Sequence, residues 1–120
     1  MILSKNADVK AINVKAIEGE TVFGGDLMVK PMLMGDEMTI MEIHYTPGVG
    51  VPLHVHTHES LVYVAKGKVK TVVGDDTHVL SPGDVCRHPA GVPHSVEALE
   101  ESVMVEIKSP APNIANFFTT

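Results

Sequence analysis

A chain of 120 residues is long enough for one hydrophobic core and too short for two. With 44% hydrophobic and 20% charged residues it reads as a folded globule and not as a disordered segment. A net charge of −6, from 9 Lys and Arg against 15 Asp and Glu, argues against a polyanionic partner such as nucleic acid. Aromatic residues make up 4% and Trp is absent, so the core must be built mainly from Val, Ile, Leu and Met. The lone cysteine, Cys86, excludes an intrachain disulfide and fits a reducing compartment. The first residues lack the apolar stretch of a secretory signal, and no apolar run reaches bilayer-spanning length. The expectation is a soluble, cytoplasmic protein.

Eight Pro and ten Gly divide the chain into short pieces rich in Val, Ile and Thr, with no sustained 3.6-residue apolar period. The pattern predicts strands over 9–17, 21–23, 27–34, 37–45, 60–66, 68–73, 77–80, 85–88, 94–97 and 103–108. Turn residues separate them, among them Gly24-Gly25-Asp26, Gly35-Asp36, Gly74-Asp75-Asp76 and Ser81-Pro82-Gly83-Asp84. Short strands at even spacing predict an all-β sandwich or barrel. Met28, Met32, Met34, Met38 and Met41 read as core, with a pocket wall or a dimer surface as the alternative. Cys86 reads as a small core residue, and His44 and His78 as surface residues. The tail ends in Phe117-Phe118 and is expected to dock on the barrel or on a neighbouring subunit.

Seven histidines is a high count for this length, and five of them lie in two stretches. The first runs from Gly48 through His54, His56 and His58 to Gly67; the second holds Gly83, Pro89, Gly91 and His94. Residues i and i+2 of a strand share a face about 6.6 Å apart. An unbroken strand would therefore aim His54 and His56 at one point.

The two stretches resemble the motifs of the cupin superfamily, G-x5-H-x-H-x3,4-E-x6-G and G-x5-P-x-G-x2-H-x3-N. Gly48, His54, His56 and Gly67 are in register with the first, and Gly83, Pro89, Gly91 and His94 with the second. The resemblance implies a single jelly-roll β-barrel domain over residues 1–120, with a barrel core at about 21–108. Segments 9–17 and 109–120 would pack on the barrel or on a partner, and the assembly would be a homodimer. It also implies that His54, His56 and His94 hold one divalent metal ion, of Fe, Ni, Zn, Mn or Cu type, at a site open to a small-molecule ligand or substrate.

Two positions depart from the motifs: Ser60 replaces the ligand Glu, and Ala98 replaces the Asn. Ser60 is expected to reach the ion through a water, and His58 is a substitute ligand if no turn intervenes before residue 60. Glu59 points the opposite way and reads as a solvent-facing carboxylate. His88 stands where the family carries an aliphatic residue, so it is either a satisfied core histidine or a pocket acid/base. Tyr63 and Glu106 are further candidates for proton transfer, against readings as a packing residue and an edge carboxylate.

The cupins that act on unsaturated uronates carry Asp-x-Phe-Ser-Pro-x-Arg in the C-terminal strand. This chain has Glu106-Ile107-Lys108-Ser109-Pro110-Ala111-Pro112, which keeps the Ser-Pro and lacks the Arg. The resemblance therefore implies a metal-dependent dioxygenase, isomerase or lyase for a small organic acid, sugar or phenolic, with a non-catalytic binding or sensor barrel as the alternative.

Overall fold

The computed structural model describes residues 1–120, apart from the side chains of residues 115 and 116. After a 3-10 turn at Asn6–Asp8 come β1 (Ile12–Val14), β2 (Ala16–Ile17), β3 (Glu20–Thr21), β4 (Leu27–Met34), β5 (Thr39–Tyr45) and β6 (Gly50–His54). They are followed by β7 (Glu59–Lys66), β8 (Val69–Val73), β9 (Asp76–Leu80), β10 (Val85–His88), β11 (His94–Ala98) and β12 (Ser102–Ser109). A single helical turn, α1 (Ile114–Phe117), and a short β13 (Phe118–Thr119) complete the chain.

The strands form a six-stranded sheet in the order β1-β4-β5-β12-β7-β10 and a four-stranded sheet in the order β6-β11-β8-β9. Every pairing is antiparallel. A third, small sheet joins β13, β2 and β3, so the two chain ends close on each other. The two larger sheets enclose Leu27, Val29, Met41, Ile43, Val62, Val64, Val69 and Met104, all nearly inaccessible. This is the all-β jelly roll that the motifs imply.

Alternation along β5 and β12 turns Thr39, Met41, Ile43 and Tyr45, and Ser102, Met104, Glu106 and Lys108, to the inside. The inner face therefore changes from apolar to polar at one end. There Lys108 is opposite both Thr39 and Ser60, and Ser60 is opposite His88, which makes one polar row across β5, β12, β7 and β10.

Several expectations are corrected. The predicted 9–17 strand is broken into the 3-10 turn, β1 and β2. Strand β6 falls where no strand is predicted: Pro52 argues against one, but β6 is a sheet edge, where a missing N–H is tolerated. Of the five methionines of the 28–41 segment only Met41 is core; Met28 and Met32 are half-buried, and Met34 and Met38 are exposed. Cys86 faces inward opposite Val62 but, on the edge strand β10, is only half-buried and packs against the rim of the core.

Candidate metal centre

His54 ends β6 and His94 begins β11, and the two are direct cross-strand partners. His56 lies past the end of β6, in the turn leading to β7. Convergence is thus not the property of one unbroken strand; a ladder pair and a turn residue make it. Ring centroids are 4.3 Å apart for His54 and His94, 4.4 Å for His54 and His56, and 4.9 Å for His56 and His94. One nitrogen from each ring lies within 4.8 Å of the others, and all three residues are buried.

The other ring nitrogens fix the tautomers. His54 Nδ1 is 2.7 Å from the carbonyl of Pro52, His94 Nδ1 is 3.3 Å from that of Val92, and His56 Nδ1 is 2.7 Å from Glu18 Oε2. Carbonyl and carboxylate oxygens accept, so each Nδ1 carries the hydrogen and each Nε2 keeps a free lone pair. Burial, with the nearby charge of Lys108, pushes His56 down to about 2. Burial, with His88 and His54 beside it, pushes His94 down to about 3. Buried imidazoles with occupied Nδ1 groups match what a divalent transition metal requires of nitrogen ligands.

Ser60 is completely buried, and its hydroxyl accepts a hydrogen bond from Lys108 Nζ at 3.1 Å. Lys108 also donates to Glu106 Oε1 at 2.8 Å and to His58 Nε2 at 3.2 Å, and sits 5.0 Å from the centroid of the Phe117 ring. Where the family places a carboxylate ligand, this chain has a hydroxyl held by an ammonium group. His58 stacks on His56 at 4.4 Å and is pushed down to about 4, by burial first and by Lys108 second. It is not among the three converging rings. It groups instead with Glu18 and His56, where the His56 Nδ1 hydrogen and the bond from Lys108 to His58 already occupy ring nitrogens. That second group is a hydrogen-bonded cluster.

Glu106 is an inward-facing carboxylate and not an edge one. Burial opposes its ionisation, but the charge and hydrogen bond of Lys108 outweigh that and hold it below the usual carboxylate range. His88 is buried and stacked on His94 at 4.3 Å. Thr71 gives its one hydroxyl hydrogen to the carbonyl of Ser95, so His88 Nε2–H donates to Thr71 Oγ1 at 2.9 Å. His88 Nδ1 is then a buried acceptor with no partner. Tyr63 is half exposed on the outer face of the large sheet, away from the imidazoles, as is Glu59, which pairs with Arg87.

The three imidazoles, His88, Glu106, Lys108 and Phe117 line a cavity of about 20 Å³, room for roughly one water. Phe117 also borders an outer cleft of about 260 Å³ formed with Glu18, Thr57, His58 and residues 110–113. Sequence reasoning missed Glu18, Thr71 and Lys108, and expected Phe117 to dock on the barrel or a neighbouring subunit without placing it at the site. Of the three missed, only Lys108 had a signal, since it shares parity with Met104 and Glu106 on one strand.

The family model of the cupin domain matches residues 41–107. The chain is 28% identical over 89 residues to the pectin degradation protein KdgF of Dickeya dadantii, covering 72% of this chain and 81% of that protein. It is 29% identical over 108 residues to quercetin 2,3-dioxygenase of Bacillus subtilis, covering 85% of this chain but only 32% of that enzyme's length. A solved RmlC-like cupin from Shewanella frigidimarina superposes with a TM-score of 0.82 at 21% identity, over 94% of each chain. On the match of the family model, with the jelly roll and its paired motifs, the chain belongs to the cupin family.

Proposed function

We propose that this chain is a metal-dependent cupin enzyme in which His54, His56 and His94 hold one divalent ion through their Nε2 atoms. The observation that carries this reading is the set of three buried imidazoles whose Nδ1 atoms are all occupied by acceptors. An all-nitrogen set of this kind suits Fe, Ni, Zn, Mn or Cu. Bound there, the ion would supply Lewis acidity and lower the pKa of a coordinated water or substrate hydroxyl.

The surrounding side chains have separable roles. His88 Nδ1 is placed to accept a hydrogen bond from a substrate hydroxyl in the cavity. Lys108, held by Glu106, places a fixed positive charge beside the imidazoles and favours a substrate that carries or develops anionic oxygen. Phe117 separates the cavity from the outer cleft, excludes bulk water and must shift to admit a substrate. A small organic acid, sugar or phenolic meets these demands.

Elemental analysis of gently purified protein tests the reading. The expected result is near-stoichiometric metal, lost in His54→Ala and in His94→Ala, and turnover by the loaded protein of at least one member of a panel of enediols, β-diketones, flavonols and uronates. Metal-free protein that takes up no added ion would overturn it. Stoichiometric metal without turnover would favour the binding or sensor barrel.

We further propose a cytoplasmic homodimer. Leu61, Tyr63 and Val85 lie exposed on the outer face of the large sheet, beside the edge strand β10. A second copy packed on that face would cover them. Light scattering of the protein and of Val85→Lys would check this: a dimer is expected for the first and a monomer for the second.

A further inference from the structure

We propose that Glu18 is the positioning residue of the metal centre: its carboxylate fixes His56 as a ligand and supplies, from outside the coordination sphere, the negative charge that position 60 no longer supplies from within it. The inference rests on the three-histidine reading above.

Among the three imidazoles His56 has the least local support. His54 and His94 each bond to the carbonyl two residues earlier in the chain. His56 lies beyond the end of its strand, and its Nδ1 bonds instead to a carboxylate 38 residues away, at 2.7 Å. A carboxylate behind a ligating imidazole holds the tautomer and the ring orientation, and makes the ligand nitrogen more basic.

Glu18 is also built for the contact. It occupies the two-residue turn between β2 and β3, with φ of 47° at Glu18 and 81° at Gly19. Two left-handed residues are what such a hairpin turn demands, and a Cβ-bearing Glu is poorly suited to the first of them. Glu18 is the only non-glycine residue with positive φ among the described residues. The hairpin is fixed from the far end of the chain: Ile17 pairs with Phe118, and Glu18 N donates to the carbonyl of Phe117 at 2.9 Å. Strain at one residue, retained against a better alternative, marks a position held for what its side chain does. The hairpin lies outside residues 41–107, the part that matches the family model.

Strain and ligand support respond in opposite directions to one substitution, which gives the test. Glu18→Gly removes the carboxylate and relieves the left-handed backbone. In the full-length chain its metal-free melting temperature is expected to equal or exceed that of the parent. Its affinity for Co(II) and Zn(II), measured by competition with a chromophoric chelator, is expected to weaken by about 10–100-fold. Glu18→Gln keeps an oxygen acceptor without the charge and is expected to fall between the two; it also serves if the glycine variant fails to fold. A variant with Co(II) affinity within about twofold of the parent would overturn the role of Glu18 alone. A parent that takes up no metal would overturn the three-histidine reading beneath it. Loss of a second equivalent of metal, with the first unchanged, would mean that Glu18 is a ligand itself and would also overturn the positioning role.

Discussion

Lys108 and Ser60 face each other across the β12–β7 ladder, and the lysine ammonium donates to the serine hydroxyl at 3.1 Å. The position at which the family motif carries its carboxylate ligand therefore adjoins a buried cation. A carboxylate restored there meets Lys108 before it meets an ion. Ser60→Glu is accordingly expected to change Zn(II) affinity by less than about tenfold, or about 1.4 kcal/mol. In Ser60→Glu with Lys108→Met the same carboxylate is free, and tighter binding is expected. Chelator competition on both variants measures this, and a single substitution that tightens binding more than tenfold would show that residue 60 reaches the ion despite the lysine.

The same lysine neutralises Glu106, and both side chains are almost completely buried. Removing one member of a buried pair strands the other charge, at a cost of about 3–5 kcal/mol. Lys108→Met is expected to lose stability of that order in urea denaturation. Lys108→Met with Glu106→Gln leaves no charge behind and should recover most of the loss. Two additive losses would mean that packing, and not charge pairing, dominates here.

Acid stability follows from the buried histidines. Burial is the leading cause of the lowered pKa at each of His56 (about 2), His94 (about 3), His58 (about 4) and His88. In the unfolded chain an imidazole takes its proton near about 6.5. Above that pH neither state is protonated and stability is fully present. As pH falls below it, the unfolded state binds protons that the folded state refuses, and each histidine withdraws up to about 1.4 kcal/mol per pH unit until its own folded value is reached. The metal-free protein should therefore lose melting temperature steeply between about pH 6.5 and pH 4. A flat profile across that window would contradict neutral burial of these rings.

The barrel and the meeting of His54, His56 and His94 were legible because each leaves a local mark. Motif spacing carries the histidines, and Gly67 shows why such spacing is tied to backbone. Its φ is +85°, and a Cβ there would lie 2.3 Å from the Glu101 carbonyl. What the sequence hid was non-local. Nothing near residue 18 points to residue 56. Lys108 carries charge on an inward face, where alternation predicts apolar groups, and its place there makes sense only with Ser60, His58 and Glu106 around it. Cys86 faces inward opposite Val62, but on an edge strand, so it is only half-buried at the rim of the core.

The bond between His88 and Thr71 allows a sharper measurement than any single substitution. The Thr71 hydroxyl links the His88 ring to the Ser95 carbonyl and so ties β10 to the opposite sheet through β8 and β11. Thr71→Val keeps the shape of the side chain but leaves the His88 Nε2–H and the Ser95 carbonyl without this partner in a buried setting. A stranded donor costs about 1–3 kcal/mol. In His88→Phe the ring no longer needs that acceptor, and Thr71→Val added to it should cost less than it does alone. Urea denaturation of the two single variants and the double variant measures the coupling, which is expected to reach about 1 kcal/mol or more. Additivity within about 0.3 kcal/mol would show that the two side chains act independently and that His88 is held by stacking on His94 alone.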